Sequence, residues 1–258
     1  MRVIRIDDLF ETQSQQAVDI RREFISRYIF EVFEGVVRYG PLKSFILNKD
    51  SSWGGADLAA KLLGLYEKEV LDAILSKSPR FTTLVNLGAA DGYYGVGLLK
   101  ADIFQRSVCY ESSEKGRSLI AATAKANGVD KRIVIGGTAS AAFPSEIAKL
   151  GVALNECVVL CDIEGGEFDV LSLHCIQQLR HSMLLIELHD FMVNDGDAKK
   201  RNLIEMLSEH FSITLLTMGT RDLSPFPELG MLNDNDRWLI CSEGRPRHMS
   251  WLRCDPLT

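Results

Sequence analysis

The chain has 258 residues, 46% of them hydrophobic and 25% charged, with a formal net charge of −6. That is enough apolar material for one large core, and the acidic balance argues against general nucleic-acid binding, because phosphate backbones select basic surfaces. No apolar run approaches the roughly 20 residues that span a bilayer, and the opening MRVIRIDDLFETQ turns acidic at once, without the apolar stretch of a secretion signal. Six cysteines, at 109, 157, 161, 175, 241 and 254, form no C-x-x-C pair and read as buried, reduced thiols, so the expected compartment is the cytoplasm.

In chain order, residues 14–39 predict a long amphipathic helix, with Val18, Phe24, Ile25, Tyr28, Ile29, Val32, Phe33 and Val36 at helical spacing and Gly40-Pro41 as its stop. A second helix is expected from Ala56 to Ser76. Between them NKDSSWGGADL is a turn-rich connector carrying Trp53, read either as a core anchor or as part of an acceptor pocket. These helices either cap the chain's own core or form the seam of a homodimer; the first is the commoner fate of an amphipathic helix.

From Phe81 the pattern alternates. TLVNLG, SVCYES, RIVIGG, CVVLCDIEGG and SMLLIELHD read as strands, separated and followed by helical stretches; SITLLTMGT and DRWLICSE read as two last strands with no helix between them. The expected fold is α/β: a Rossmann-like, seven-stranded, mostly parallel sheet with an antiparallel edge hairpin and an N-terminal helical extension. The division expected is a helical cap or oligomerisation segment over 1–79, a ligand-binding domain over 80–244 and a mobile tail over 245–258.

The stretch LVNLGAADGYYGVGLL places a glycine turn, Gly88-Ala89-Ala90-Asp91-Gly92, after the first of these strands, where open α/β sheets bind ligands. Its glycines keep side chains out of a ligand's path. A dinucleotide turn reads G-x-G-x-x-G; here Gly88, Ala90 and Tyr93 hold those places, with Tyr93 too bulky for a close helix contact and Asp91 repelling a pyrophosphate. S-adenosylmethionine, with a sulfonium and an ammonium and no phosphate, suits an acidic turn better. The next strand ends in YES, where Glu111 can accept both ribose hydroxyls beside Ser112; Gly137 and Thr138, in GGTAS after the third strand, border an adenine.

These residues resemble a class I S-adenosylmethionine-dependent methyltransferase, VNLGAADGYYG standing for its first motif and YES for its ribose-binding acid. More narrowly, LCDIEGGEFDVL followed by LLIELHD is similar to FkbM-type methyltransferases, over roughly residues 80–243. The resemblance implies methyl transfer, often to an oxygen of a sugar or another small metabolite, with Gly88, Ala90, Asp91, Gly92 and Glu111 on the cofactor. Asn86 departs from it, where an aspartate is common.

The fourth and fifth strands end in Asp162, Glu164, Glu187 and His189, which converge if the strands are neighbours. Three readings stand side by side: a general base, with His189 intrinsically suited and Glu187 and Glu164 beside it; a divalent cation held by the carboxylates and the imidazole; or helix caps and loop braces. The first is carried forward without a resident metal, and Asp162 is alternatively a contact of the cofactor's charged tail. The enzyme expected is thus a methyltransferase acting on a small-molecule acceptor, with neither nucleic acid nor membrane as partner. Its rivals are a catalytically silent cofactor-binding or assembly module and an NAD-dependent oxidoreductase.

Overall fold

The computed structural model describes residues 12–50, 54–245 and 247–257. Trp53 and the first eleven residues lie outside them. Five parallel strands lead the architecture: β1 (Thr83–Leu87), β2 (Arg106–Tyr110), β3 (Ile133–Gly136), β4 (Cys157–Cys161) and β5 (Met183–Glu187). With β6 (Phe211–Thr217) and β7 (Ser250–Pro256) they form a seven-stranded sheet in the order β3-β2-β1-β4-β5-β7-β6. β7 runs antiparallel to both β5 and β6. This is the expected Rossmann-like class, and the order reverses between β1 and β4, the place where such sheets open a crevice.

The apolar strand runs follow from burial on both faces. Leu84, Cys109, Val158, Leu160 and Leu185 pack into one cluster; Val85, Leu87, Val108, Val159, Cys161, Leu184 and Ile186 pack into the other. The first cluster also takes Ile25, Ile29 and Phe33 of α1 (Thr12–Phe33), Leu58 and Leu62 of α2 (Leu58–Leu62) and Val70 and Ile74 of α3 (Lys68–Leu75). The N-terminal helices therefore cap the chain's own sheet. The second is closed by Phe143 and Ile147 of α6 (Phe143–Lys149), Ile176 of α8 (Leu173–Gln178) and Leu203 and Leu207 of α9 (Gly196–Ser208). Among the described residues no helix is long and apolar enough to cross a membrane.

Several expectations are corrected. α1 ends at Phe33 rather than 39, because Glu34 and Gly35 turn left-handed (φ 53° and 68°) and lead into an antiparallel bridge between Val36 and Ile46. The helix expected over 56–76 is two helices, parted at Gly64 (φ 67°), where a Cβ would stand 2.6 Å from the Tyr39 carbonyl oxygen, and at left-handed Glu67 (φ 44°). The stretch 167–179 likewise divides into α7 (Glu167–Val170) and α8, whose Ser172 side chain caps the Cys175 N–H.

The seventh strand is the largest correction. DRWLICSE forms α10 (Asp234–Leu239) and a turn, started by Asn233, whose side-chain oxygen accepts from Asp236 N at 3.0 Å. The strand comes instead from the segment expected to be a mobile tail; it lies between β5 and β6, and with β6 it forms the expected antiparallel pair at the sheet edge. The sheet thus extends past residue 244, with Ser250–Pro256 a strand within it.

Candidate functional site at the carboxyl ends of β1, β2 and β4

The turn after β1 and the loops after β2, β3 and β4 wall a cavity of about 530 Å³, within the range of ordinary ligand pockets. Of the residues singled out in the sequence, Gly88, Ala89, Ala90, Asp91, Glu111, Ser112, Thr138, Asp162 and Glu164 line it. Gly92 and Gly137 are not on its wall, and Gly137 is exposed. Glu187 and His189 are also off the wall, although the His189 ring stands 3.7 Å from Asp162, 3.4 Å from Glu164 and 3.7 Å from Glu187.

The turn's glycines answer first to the fold. A Cβ at Gly88 (φ 79°) would stand 1.7 Å from the Asp162 carbonyl oxygen, so the close passage of β4 alone requires glycine there. At Gly92 (φ 90°) it would stand 2.9 Å from Val96 Cγ2. The close helix-to-strand contact denied to Tyr93 is supplied two residues later: a Cβ on Gly95, in α4 (Tyr93–Lys100), would meet Cys109 Sγ at 2.2 Å. Bulk at Tyr93 is thus no argument against a dinucleotide.

Glu111 is fixed by backbone. Its two carboxylate oxygens accept from Ala90 N and from Ser113 N, each at 2.8 Å, which ties the glycine turn to the end of β2. Each oxygen keeps a second lone pair for a ligand hydroxyl. Gly116, in α5 (Glu114–Ala126), makes room, since a Cβ there would come within 2.6 Å of Glu111 Cγ.

The cap supplies residues that the sequence reading passed over: Asp57, Lys61, Tyr66 and Glu67 all line the cavity. Lys61 Nζ lies 3.2 Å from Asp91 Oδ2 and over the rings of Tyr66 and Tyr93 at 5.1 and 5.3 Å. Burial works against its charge, but Asp91 and Asp57 more than offset this, and its pKa is raised. The charge of Asp91 is therefore already answered from within the chain. What remains against a pyrophosphate is the rest of the wall: Asp57, Glu67, Glu111, Asp162 and Glu164, with Lys61 as the sole basic lining residue among those described. Burial raises Asp57 and Glu67 above the usual carboxylate range, although Arg245 opposes the rise at Glu67. The Tyr93 hydroxyl is buried on this wall with no hydrogen-bond partner.

Behind the wall, Arg245 donates to Glu67, to Glu187 and, at 2.9 Å, to Glu243 Oε2, so that the cap, the end of β5 and the segment before β7 meet on one guanidinium. Tyr94 OH donates to Glu67 Oε2 at 2.5 Å. Glu167, also unremarked in the sequence, is wholly buried and accepts from Gly165 N at 2.9 Å and His189 N at 2.8 Å. It holds the loop after β4 against the end of β5. Glu167 thus braces these loops, and Glu187 braces the end of β5 through Arg245.

The His189 ring, 3% exposed, has Nε2 at 3.4 Å from Glu164 Oε2 and 3.7 Å from both Asp162 Oδ1 and Glu187 Oε2, with Nδ1 3.5 Å from Glu167 Oε1. Burial opposes its protonation, and the surrounding carboxylates of Glu167, Glu187 and Glu164 outweigh that and raise its pKa. Burial and the neighbouring Glu67 push Asp162 up to about 7. Burial and Asp162 push Glu187 up to about 10, against the pull of Arg245.

Compared as a sequence, the chain matches no family model and no curated protein. Its fold is similar to that of the O-methyltransferase from Bacillus cereus in complex with SAH, at 12% identity and a TM-score of 0.47, over 94% of this chain and 97% of that one. It is also similar to precorrin-8w decarboxylase from Methanobacterium thermoautotrophicum (13%, TM-score 0.44, 74% and 90% of the chains). A third is a protein in the NADB-Rossmann superfamily from Streptococcus agalactiae (11%, TM-score 0.44, 74% and 70%). Roles of individual residues do not transfer across such distances.

Proposed function

We propose that the chain is a methyltransferase that binds S-adenosylmethionine in this cavity and acts on an oxygen of a sugar or another small metabolite. The observation that carries the reading is the acidity of the wall: five carboxyl groups beyond Asp91, of which Glu67 is paired with Arg245 behind it, against one lysine that Asp91 already occupies. A ligand with two cationic centres gains from such a wall, whereas a pyrophosphate is repelled by it.

The residues fit the group. Glu111 offers free lone pairs on both oxygens to ribose hydroxyls, while Ser112, Thr138 and Ala139 line the side next to it. Asp162, Glu67 and Asp57 lie among residues that can face the cationic half, and the unpartnered Tyr93 hydroxyl offers a donor there. S-adenosylmethionine, when bound, supplies an electrophilic methyl carbon on sulfur. The chain's part is to hold the nucleoside on Glu111, exclude water beneath α2 and α3, and bring the acceptor to Asp162 and Glu164, across β1 from Glu111. Glu187 and His189 act on the acceptor through those two carboxylates. The FkbM-type kinship rests on the D-x-E-G-x-E segment, and the bracing of β4 to β5 by its last glutamate gives that spacing a physical reason.

A cytoplasmic setting belongs to the same proposal, supported by six cysteines that are all free thiols. So does a homodimer. Ile20 and Phe24, 70% and 63% exposed, continue into Tyr28 and Val32 at four-residue spacing, an apolar line on the outer side of α1.

Calorimetry tests the reading. Saturable binding of S-adenosylmethionine and its demethylated product is expected, with no heat from NAD; NAD binding in the absence of S-adenosylmethionine binding overturns it.

A further inference from the structure

We propose that Lys61, from the cap, holds the carboxylate at the amino-acid end of the cofactor and so selects S-adenosylmethionine over relatives that lack this group. The inference rests on the methyltransferase reading. Besides its two cations, S-adenosylmethionine carries one anion, a carboxylate on the same carbon as its ammonium. The acids of the wall repel that group wherever else it is placed, and Lys61 is the sole basic lining residue among those described.

The lysine is held in place before any ligand arrives. Its side chain is only 11% exposed, and its ammonium stands over the rings of Tyr66 and Tyr93 at 5.1 and 5.3 Å. Asp91 and Asp57 keep it charged against its burial. An ammonium has three N–H donors. Among the described residues, Asp91 Oδ2, at 3.2 Å, is the one acceptor Nζ reaches, so two donors are left for a ligand of the cavity that Lys61 lines. Asp91 is in turn fixed by the Tyr93 N–H, which donates to its Oδ1 at 3.3 Å. A ligand carboxylate therefore joins this pair without having to displace Asp91.

A zwitterion needs opposite charges side by side, and the cap presents them. Asp57 is the N-cap of α2, the helix that carries Lys61, and Glu67 is the N-cap of α3; both line the cavity, and both act electrostatically on Lys61. With the carboxylate on Lys61, the ammonium one bond away meets these acids. A pyrophosphate brings two charges to a single lysine and no cation to the acids, so the same arrangement refuses it. The cap thus does more than exclude water: Glu111 reads the ribose, and Lys61 reads the other end of the cofactor.

Calorimetry on the full chain compares S-adenosylmethionine with its decarboxylated analogue, which keeps the nucleoside, the sulfonium and the amine and lacks only the carboxylate. The analogue bears one more net positive charge, so an acidic wall acting alone favours it. The parent protein is expected to show the opposite order, binding S-adenosylmethionine at least about tenfold more tightly. Lys61→Gln is expected to abolish or reverse this preference and Lys61→Arg to retain part of it, with melting curves establishing that each variant folds. The parent comparison needs no variant, so it decides even where Lys61→Gln fails to fold. Equal or tighter binding of the analogue by the parent overturns the assignment. So does an undiminished preference in folded Lys61→Gln, the result if Lys61 serves only to neutralise Asp91. Heat from neither compound removes the methyltransferase reading and this inference with it; heat from both, without the preference, removes the role of Lys61 alone.

Discussion

Lys61 of the cap and Asp91 of the glycine turn form an ion pair at 3.2 Å, with side chains only 11% and 12% exposed. The pair joins the N-terminal helices to the ligand-binding turn across thirty residues of sequence. Removing Lys61 takes the buried cation away from Asp91, whose Oδ1 keeps the Tyr93 N–H at 3.3 Å. Lys61→Met is expected to cost about 3–5 kcal/mol of stability, and the double variant with Asp91→Asn is expected to regain much of it. Urea unfolding of the four proteins measures the coupling; additive losses would show that the two charges are answered elsewhere.

Glu111→Ala is expected to weaken S-adenosylmethionine binding by about 1–3 kcal/mol. It should also lower the melting temperature, because Ala90 N and Ser113 N lose their acceptor. Glu111→Gln retains one acceptor oxygen and should lose less on both counts. Unchanged affinity in the folded alanine variant would place the ribose away from β2.

Gly88→Ala has no accommodating conformation, since the added carbon falls 1.7 Å from a carbonyl oxygen of Asp162 at a left-handed φ of 79°. Loss of soluble protein, or destabilisation beyond about 3 kcal/mol, is expected. Ala90, at φ 49°, is the converse case, and Ala90→Gly should be tolerated or stabilise slightly. A normal melting curve for Gly88→Ala would mean that β1 and β4 part more readily than their contact implies.

Glu67 carries a pH signature. Burial raises its pKa, so the folded chain holds a proton that the unfolded chain releases near pH 4.3, its ordinary value. Stability contributed by this group is therefore present at low pH and is lost as pH rises from about 4.3 through the raised value, because the folded state then binds the extra proton. Glu67→Gln should flatten that decline in urea titrations between about pH 4 and 8. A variant slope equal to the parent's would assign the effect to the neighbouring carboxyls.

The exposed line on α1 predicts a concentration-dependent dimer. Light scattering should give a dimer mass that Phe24→Glu reduces to the monomer, with the melting temperature of the dilute protein unchanged. A parent protein that stays monomeric at high concentration contradicts the seam.

The sequence made β1 to β6 legible, because a strand buried on both faces must be apolar throughout and the intervening glycines and helix caps punctuate it. β7 was hidden: SWLRCDP carries a proline and two charges, and its burial alternates only in part. DRWLICSE looked more strand-like, and a three-residue cap at Asn233 made it helical. In the site, the turn and Glu111 could be read from spacing. Lys61 could not, being one lysine in an otherwise apolar helix whose partner comes from a distant turn. Glu167 sat in the quoted D-x-E-G-x-E run, yet its role depends on backbone N–H groups of two loops that only the fold brings together. Asp91 shows the opposite fault: its charge was visible, its neutralisation was not.

β7 separates β5 from β6 in the sheet but follows both in the chain. During translation β6 therefore emerges before the strand that attaches it, and its backbone has no strand partner until residues 250–256 have left the ribosome. Stalling or proteolysis between residues 218 and 249 would leave an exposed strand edge, so fragments cut there should aggregate, whereas those that include Ser250–Pro256 should not.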